Sequence, residues 1–131
     1  MTQSGAVITF ETAYNNQDYL CIYLDINIYS GKGRGKIVRK AHIWKLDKNN
    51  AELISPEKFI GSRRIIKNKI CEYICRTMET QINNRDVYKY LNLKNFYPDE
   101  NGYNFFFPQN TVAPFNDGIV SFAVPEKILS T

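Results

Sequence analysis

One histidine, His42, and three cysteines, Cys21, Cys71 and Cys75, are the side chains of this 131-residue chain best suited to covalent or zinc chemistry. A Cys–His nucleophile needs the two groups within hydrogen-bond reach. Cys71 and Cys75 instead stand beside Ile66, Ile70, Ile74, Met78 and Ile82, which recur every four residues and mark a buried helical stripe. On a helix their Cβ atoms would lie about 5–6 Å apart, whereas a disulfide wants about 3.8 Å. An odd cysteine count is not a disulfide framework, and all three read as small buried hydrophobes. A catalytic zinc takes about three protein ligands, and no C-x-x-C or H-x-x-x-H spacing exists. No G-x-S-x-G elbow supports serine hydrolysis. Glycoside hydrolysis needs two carboxylates flanking one bond. The candidates are Asp25 on the polar face of a strand and Asp99, Glu100 and Asp117 in turns. Turn acids commonly serve turn geometry alone, and nothing in the sequence ties two of these to a shared cleft. The residues predict no catalytic group, no metal and no cofactor.

Charge is the next chemical signal. The chain carries 17 Lys and Arg against 13 Asp and Glu, a net +4. The excess concentrates in Lys32, Arg34, Lys36, Arg39, Lys40, Lys45 and Lys48, with Asp47 as the one acid among them. Such a run attracts phosphates, teichoic-type polymers or anionic lipid heads, and it is also what a solvated strand face looks like. Aromatics interleave with it at Tyr29 and Trp44, but no RNP-like motif accompanies them, so no nucleic acid is expected. Ser30–Gly35 has glycines at alternate positions without the G-x-G-x-x-G or G-K-[ST] spacing, which makes it a hairpin connection and not a nucleotide cradle.

The elements that position these groups follow from period. At 131 residues and 44% hydrophobic content, the chain fits one globular domain with a real core, residues 1–131. It fits a cytoplasmic protein and equally a piece cut from a longer exported chain. No apolar run reaches the 18 residues of a membrane span, and no signal peptide is visible. Ala6–Tyr14 reads as a first strand. In Tyr19–Tyr29, Leu20, Ile22, Leu24, Ile26 and Ile28 alternate with Cys21, Tyr23, Asp25, Asn27 and Tyr29, which predicts a strand with its aliphatic face on the core. The polar turn Asn15–Asp18 makes the two an antiparallel hairpin. Lys36–Leu46 is a third strand, followed by a turn at Asp47–Asn50 and a short strand end at Leu53-Ile54. Ser55 then caps a helical turn with Pro56 at its first position. Residues 60–83 form one long amphipathic helix, started near Gly61-Ser62 and ended by Asn83-Asn84. Val87–Leu93 is a short helix or a loop. Leu93–Tyr97 and Tyr103–Phe107 pair across the Asp99–Gly102 turn, and Gly118–Val124 is the last strand. The fold class is α+β, an antiparallel β-sheet with one long amphipathic helix packed on it.

Several short motifs run through this plan. Late in the chain they are Asn95-Phe96-Tyr97, Asn101-Gly102, Phe105-Phe106-Phe107, Val112-Ala113-Pro114-Phe115 and Gly118-Ile119. Earlier come Tyr29-Ser30-Gly31 and Gly35 after the alternating strand. With this order of elements, the chain resembles the RsiV-like domain family. That domain forms the extracytoplasmic C-terminal part of lysozyme-sensing anti-sigma factors and also accompanies PdaC-type peptidoglycan deacetylases. Glycines, prolines and aromatics are kept. Gly33-Arg34 stands where the family has Ala-His, Asn110-Thr111 where it has Tyr-Glu, and Phe115 where it has Tyr.

The resemblance implies a non-catalytic binding or sensor module at the cell surface, with lysozyme or an anionic cell-wall polymer as partner. The candidate surface is the two loops Ser30–Gly35 and Pro108–Phe115. Its named residues are Arg34, Pro108, Asn110, Pro114 and Phe115, with Tyr29, Trp44 and Tyr97 as aromatic anchors. Lysozymes are usually basic, and like charges penalise docking, so the basic segment favours an anionic wall polymer. The alternatives are a cell-wall glycan hydrolase, an accessory domain of a deacetylase and a structural spacer.

Overall fold

The computed structural model describes residues 4–31, 35–60, 64–77 and 82–129. Seven strands and three helices follow in chain order. Four strands come first: β1 (Gly5–Asn15), β2 (Tyr19–Tyr29), β3 (Lys36–Leu46) and β4 (Ala51–Ile54). Helices α1 (Pro56–Ile60), α2 (Arg64–Thr77) and α3 (Asn84–Tyr90) come next, then strands β5 (Phe96–Asp99), β6 (Gly102–Phe107) and β7 (Val120–Val124). The strands form two antiparallel sheets and not the single one expected: a four-stranded meander β1-β2-β3-β4 and a three-stranded meander β5-β6-β7. The class remains α+β.

Local chemistry accounts for the boundaries. Asn16 Oδ1 accepts from the N–H groups of Asp18 and Tyr19, closing the β1–β2 hairpin. Ser55 Oγ accepts from the Lys58 N–H at 3.4 Å, the expected cap of α1. Gly102 closes the β5–β6 turn at φ +135°, and a Cβ there would meet the Val124 carbonyl oxygen at 2.5 Å, so only glycine fits. The helical region is shorter than the periodicity suggests. α2 has 14 residues, and the Gly61-Ser62 start and Met78 lie outside the described residues. Asn83 does not end a long helix but begins the next, since its side chain accepts from the Arg85 N–H and caps α3.

The core gathers around β6, whose residues Asn104–Phe107 are all buried. Phe96, Phe105 and Phe107 join Ile70, Cys71 and Ile74 of α2, Val87 of α3 and Cys21 and Ile43 of the large sheet in one cluster. The orientation of the large sheet is a correction. Its covered face carries Cys21, Tyr23 and Asp25, and its aliphatic face, with Ile22, Leu24, Ile26 and Ile28, is the open one. On that face Ile8 is 63% and Phe10 67% exposed, and both pair in register with Ile26 and Leu24. Period two shows that one face is apolar; which face the rest of the chain covers is decided by contacts far away in sequence.

This orientation gives a paired expectation for urea unfolding. Phe96→Ala, inside the cluster, lowers stability by about 3–5 kcal/mol. Phe10→Ala, on the open face, changes it by no more than about 0.5 kcal/mol. Equal costs would mean that the aliphatic face is covered after all.

Candidate functional site

A cleft of about 960 Å³ opens along the outer edge of β3. Lys36 to His42 form one wall, Pro108, Gln109, Asn110, Phe115 and Ile119 the other, and Phe106 and Asn95 lie between them. The cleft exists because β4 is short. It pairs with β3 only over Ile43–Leu46, and Ser55-Pro56 then turn the chain away. The opposite wall is held by a side chain: Gln109 Oε1 accepts from the Ile37 N–H at 2.7 Å, while Gln109 Nε2 donates to the Phe115 carbonyl oxygen at 3.4 Å. Asn110 sits beside it with φ +59°, the left-handed conformation that asparagine tolerates better than most residues.

The electrostatics of the cleft are one-sided. Lys36, Arg39, Lys40, His42 and Lys94 line it, and no carboxylate is among the described lining residues. Arg39 is not available to a ligand in the same way as the lysines. Its Nε and Nη2 donate to both oxygens of Asp25, at 2.7 and 2.9 Å, and the two side chains are only 16% and 22% exposed. Its guanidinium lies 4.5 Å from the Tyr23 ring centre and 5.8 Å from that of Phe106. Burial works against the charge, but the hydrogen bond and charge of Asp25 outweigh it and raise the Arg39 pKa above its ordinary value. The cationic character of the β3 wall therefore belongs to Lys36 and Lys40.

The expected site residues divide. Pro108, Asn110 and Phe115 come together in the cleft. Tyr97 does not: it is 8% exposed, stacked on Tyr23 at 4.6 Å between the sheets, and burial pushes its phenol up. Trp44 lies half-buried on the open face of β3, tilted against His42 at 5.7 Å. Tyr29 is exposed at the end of β2, where it closes over Gly5. Pro114 precedes a 3-10 turn at Phe115–Asp117 and is not among the cleft residues. Arg34 lies outside the described residues. Lys94 and Gln109 carry no sequence signal of their own, although Gln109 stands between two candidates.

Of the carboxylates proposed for glycan hydrolysis, Asp25 and Asp117 stand apart, while Asp99 and Glu100 share one turn and one concavity. Asp25 is committed to Arg39. Asp99 Oδ1 accepts from the Asn101 N–H and folds the β5–β6 turn, and Asp117 closes the 3-10 turn. A second concavity, of about 550 Å³, holds Asp99 with Asp18, Glu100, Glu126 and the rings of Tyr14, Tyr19, Phe59 and Tyr103. Among the described residues no three His, Cys, Asp or Glu side chains are placed to share a metal ion. Burial pushes the Cys21 thiol up to about 12 and the Cys71 thiol to about 11, so neither supplies thiolate at neutral pH.

Fold and site together define a two-sheet α+β domain with one basic, strand-edged cleft. Residues 45–127, more than half of the chain, match DUF3298, a protein family of unknown function, and the chain belongs to that family. Its fold is similar to the crystal structure of a DUF3298 family member from Bacteroides fragilis NCTC 9343, with a TM-score of 0.58 and 14% identity. That match covers 95% of this chain and 52% of the other, so the chain spans about half the length of its structural relative. No curated protein matches the sequence.

Two outcomes follow. Asp25→Ala leaves a half-buried guanidinium without its partner and lowers stability by roughly 1–3 kcal/mol in urea unfolding; adding Arg39→Met to it recovers part of the loss. At pH 8, well below the raised thiol values, a disulfide-exchange reagent labels Cys21 and Cys71 only after unfolding, and fast labelling of native protein would contradict their burial.

Proposed function

We propose that this chain is a non-catalytic binding module of the bacterial cell envelope, and that its cleft receives an anionic wall polymer. The observation that carries the reading is the cleft's lining: Lys36 and Lys40 face it without a carboxylate among the described lining residues. Fixed positive charge beside low-dielectric walls concentrates anions. The extracytoplasmic setting and the non-catalytic role rest on the resemblance to the RsiV-like domain. Among the described residues no helix is long and apolar enough to cross a membrane.

Lysozyme, the partner of the sensor branch, is the second reading. It is less well supported, because a basic cleft repels a basic protein unless that face points away. The acidic and aromatic concavity around Asp99 and Tyr103 is the surface that would suit a cationic partner instead.

Calorimetric titration with purified wall teichoic acid, at about 0.05 and about 0.3 M salt, tests the proposal. Binding is expected at low salt, with loss at high salt and at least about fivefold weakening in the Lys36→Ala/Lys40→Ala double variant. Polymer binding that ignores both lysines would sink it. Tight binding to lysozyme that survives salt would transfer the function to the second reading.

A further inference from the structure

The wall of the cleft is also an unfinished sheet edge. The Ile37 N–H reaches Gln109, outside the β2–β3 ladder. Along a strand successive backbone groups alternate in direction, so Ile37, Arg39 and Ala41 all point their N–H and C=O groups away from β2. Two residues further on, Ile43 points the same way and is taken up by β4 at Ile54. The ladder stops there. Among the described residues, no backbone bond takes the outward groups of Arg39 or Ala41. Only Ile37 has a partner, and that partner is the Gln109 carboxamide, which accepts from β3 on one side and donates to the Phe115 carbonyl on the other. A primary carboxamide presents the same donor and acceptor as a peptide unit. It occupies one position of a strand that is otherwise missing.

We propose that β3 takes an extended acidic peptide segment as an added strand, in the place that β4 leaves empty beyond Ile54. The mode is β-augmentation: main-chain bonds give affinity, and alternate side-chain positions give selectivity. Those positions differ in chemistry. Peptide residues opposite Lys36, Val38 and Lys40 lie on the open face of the sheet beside two ammonium groups. Residues opposite Ile37, Arg39 and Ala41 face the side lined by Phe106 and Phe115. The ligand is therefore an extended chain with acidic side chains on one face and small apolar ones on the other. Seven residues of β3, Lys36 to His42, line the cleft, a length of roughly 23 Å for an extended strand. The inference goes beyond the wall-polymer reading and does not depend on it, since a teichoic-type polymer has no amide ladder to complete this edge.

The test uses the whole chain and an eight-residue peptide alternating Glu and Val as probe, with two N-methylated versions. If the peptide runs antiparallel to β3, as β4 does, its Val residues present their N–H groups to Arg39 and Ala41, the positions that Gln109 leaves open. N-methylation of the Val amides is expected to weaken binding at least about tenfold, and of the Glu amides by less than about threefold. Ala41→Pro removes one outward donor without touching the β2 ladder and is expected to weaken the unmodified peptide while sparing teichoic acid. Equal weakening by the two methylated sets, or no binding of the unmodified peptide, overturns the proposal. So does a dimer in sedimentation that Ala41→Pro dissolves, since the edge would then belong to a second copy. The two readings fail separately: polymer binding insensitive to Lys36 and Lys40 defeats the first, and binding indifferent to which amides are methylated defeats the second.

Discussion

The Asp25–Arg39 pair is the contact on which the arrangement of the large sheet and the cleft depends. The two residues are direct partners across β2 and β3, so their two-pronged bond fixes the register of that ladder. A slip of one residue would set Arg39 opposite Leu24 or Ile26 of the aliphatic row and separate it from Asp25. Taking two charges partly out of water costs several kcal/mol before any attraction is counted. The offset comes from paired geometry and from rings on both sides. Arg39 lies over Tyr23, Tyr23 stacks on Tyr97, and Tyr97 tilts against Phe106. This seam is where the two sheets meet. It also turns the one arginine of the cleft wall inward, which leaves the outer charge to lysines, compact point charges suited to diffuse anionic ligands rather than to planar two-pronged recognition.

β6 shows the same constraint from the other side. A strand covered on one face alternates polar and apolar residues, whereas Phe105-Phe106-Phe107 is continuous because both faces are covered. Phe105 and Phe107 belong to the cluster with the helices, and Phe106 faces Arg39 and the cleft. Asn104, the polar residue of the run, is buried on the Tyr97 side, and its Nδ2 has no partner among the described residues. An amide left without a bond in such a place costs more than most single contacts return. The seam between the sheets thus mixes ions, rings and an unsatisfied amide, while the helical side is built on the apolar cluster of Phe105, Phe107, Ile70, Ile74 and Val87.

Much of this was legible in the sequence, for identifiable reasons. β2 and β3 have the expected bounds, Tyr19–Tyr29 and Lys36–Leu46, because period two and turn residues are local signals. Ser55 and Pro56 marked the start of α1 for the same reason. The division into two sheets was not legible, since it is made by pairings absent between β4 and β5 rather than by any residue present. The direction of the aliphatic face is not local information, because Cys21, Tyr23 and Asp25 make a covered face only with Arg39, Tyr97 and Phe106 supplied from elsewhere. At the site, Pro108, Asn110 and Phe115 follow from the resemblance, which points to the loop Pro108–Phe115 as a candidate surface. Tyr97 and Trp44 were not separable from them, because an aromatic ring is equally suited to anchor a ligand or to fill a core.

The family match and the cleft do not cover the same residues. DUF3298 accounts for residues 45–127, which include Lys94, Phe106, Gln109 and Phe115. The basic wall, Lys36 to His42, precedes that span. The matched span therefore contains the floor and one rim of the cleft, including the carboxamide that reaches across to Ile37. It does not contain the strand edge or its lysines. A relative with the same floor and a different third strand would present a cleft of the same shape and another selectivity. In a domain assembled this way, the cleft is made at the junction between the family-matched segment and the strands that precede it, and neither part forms it alone.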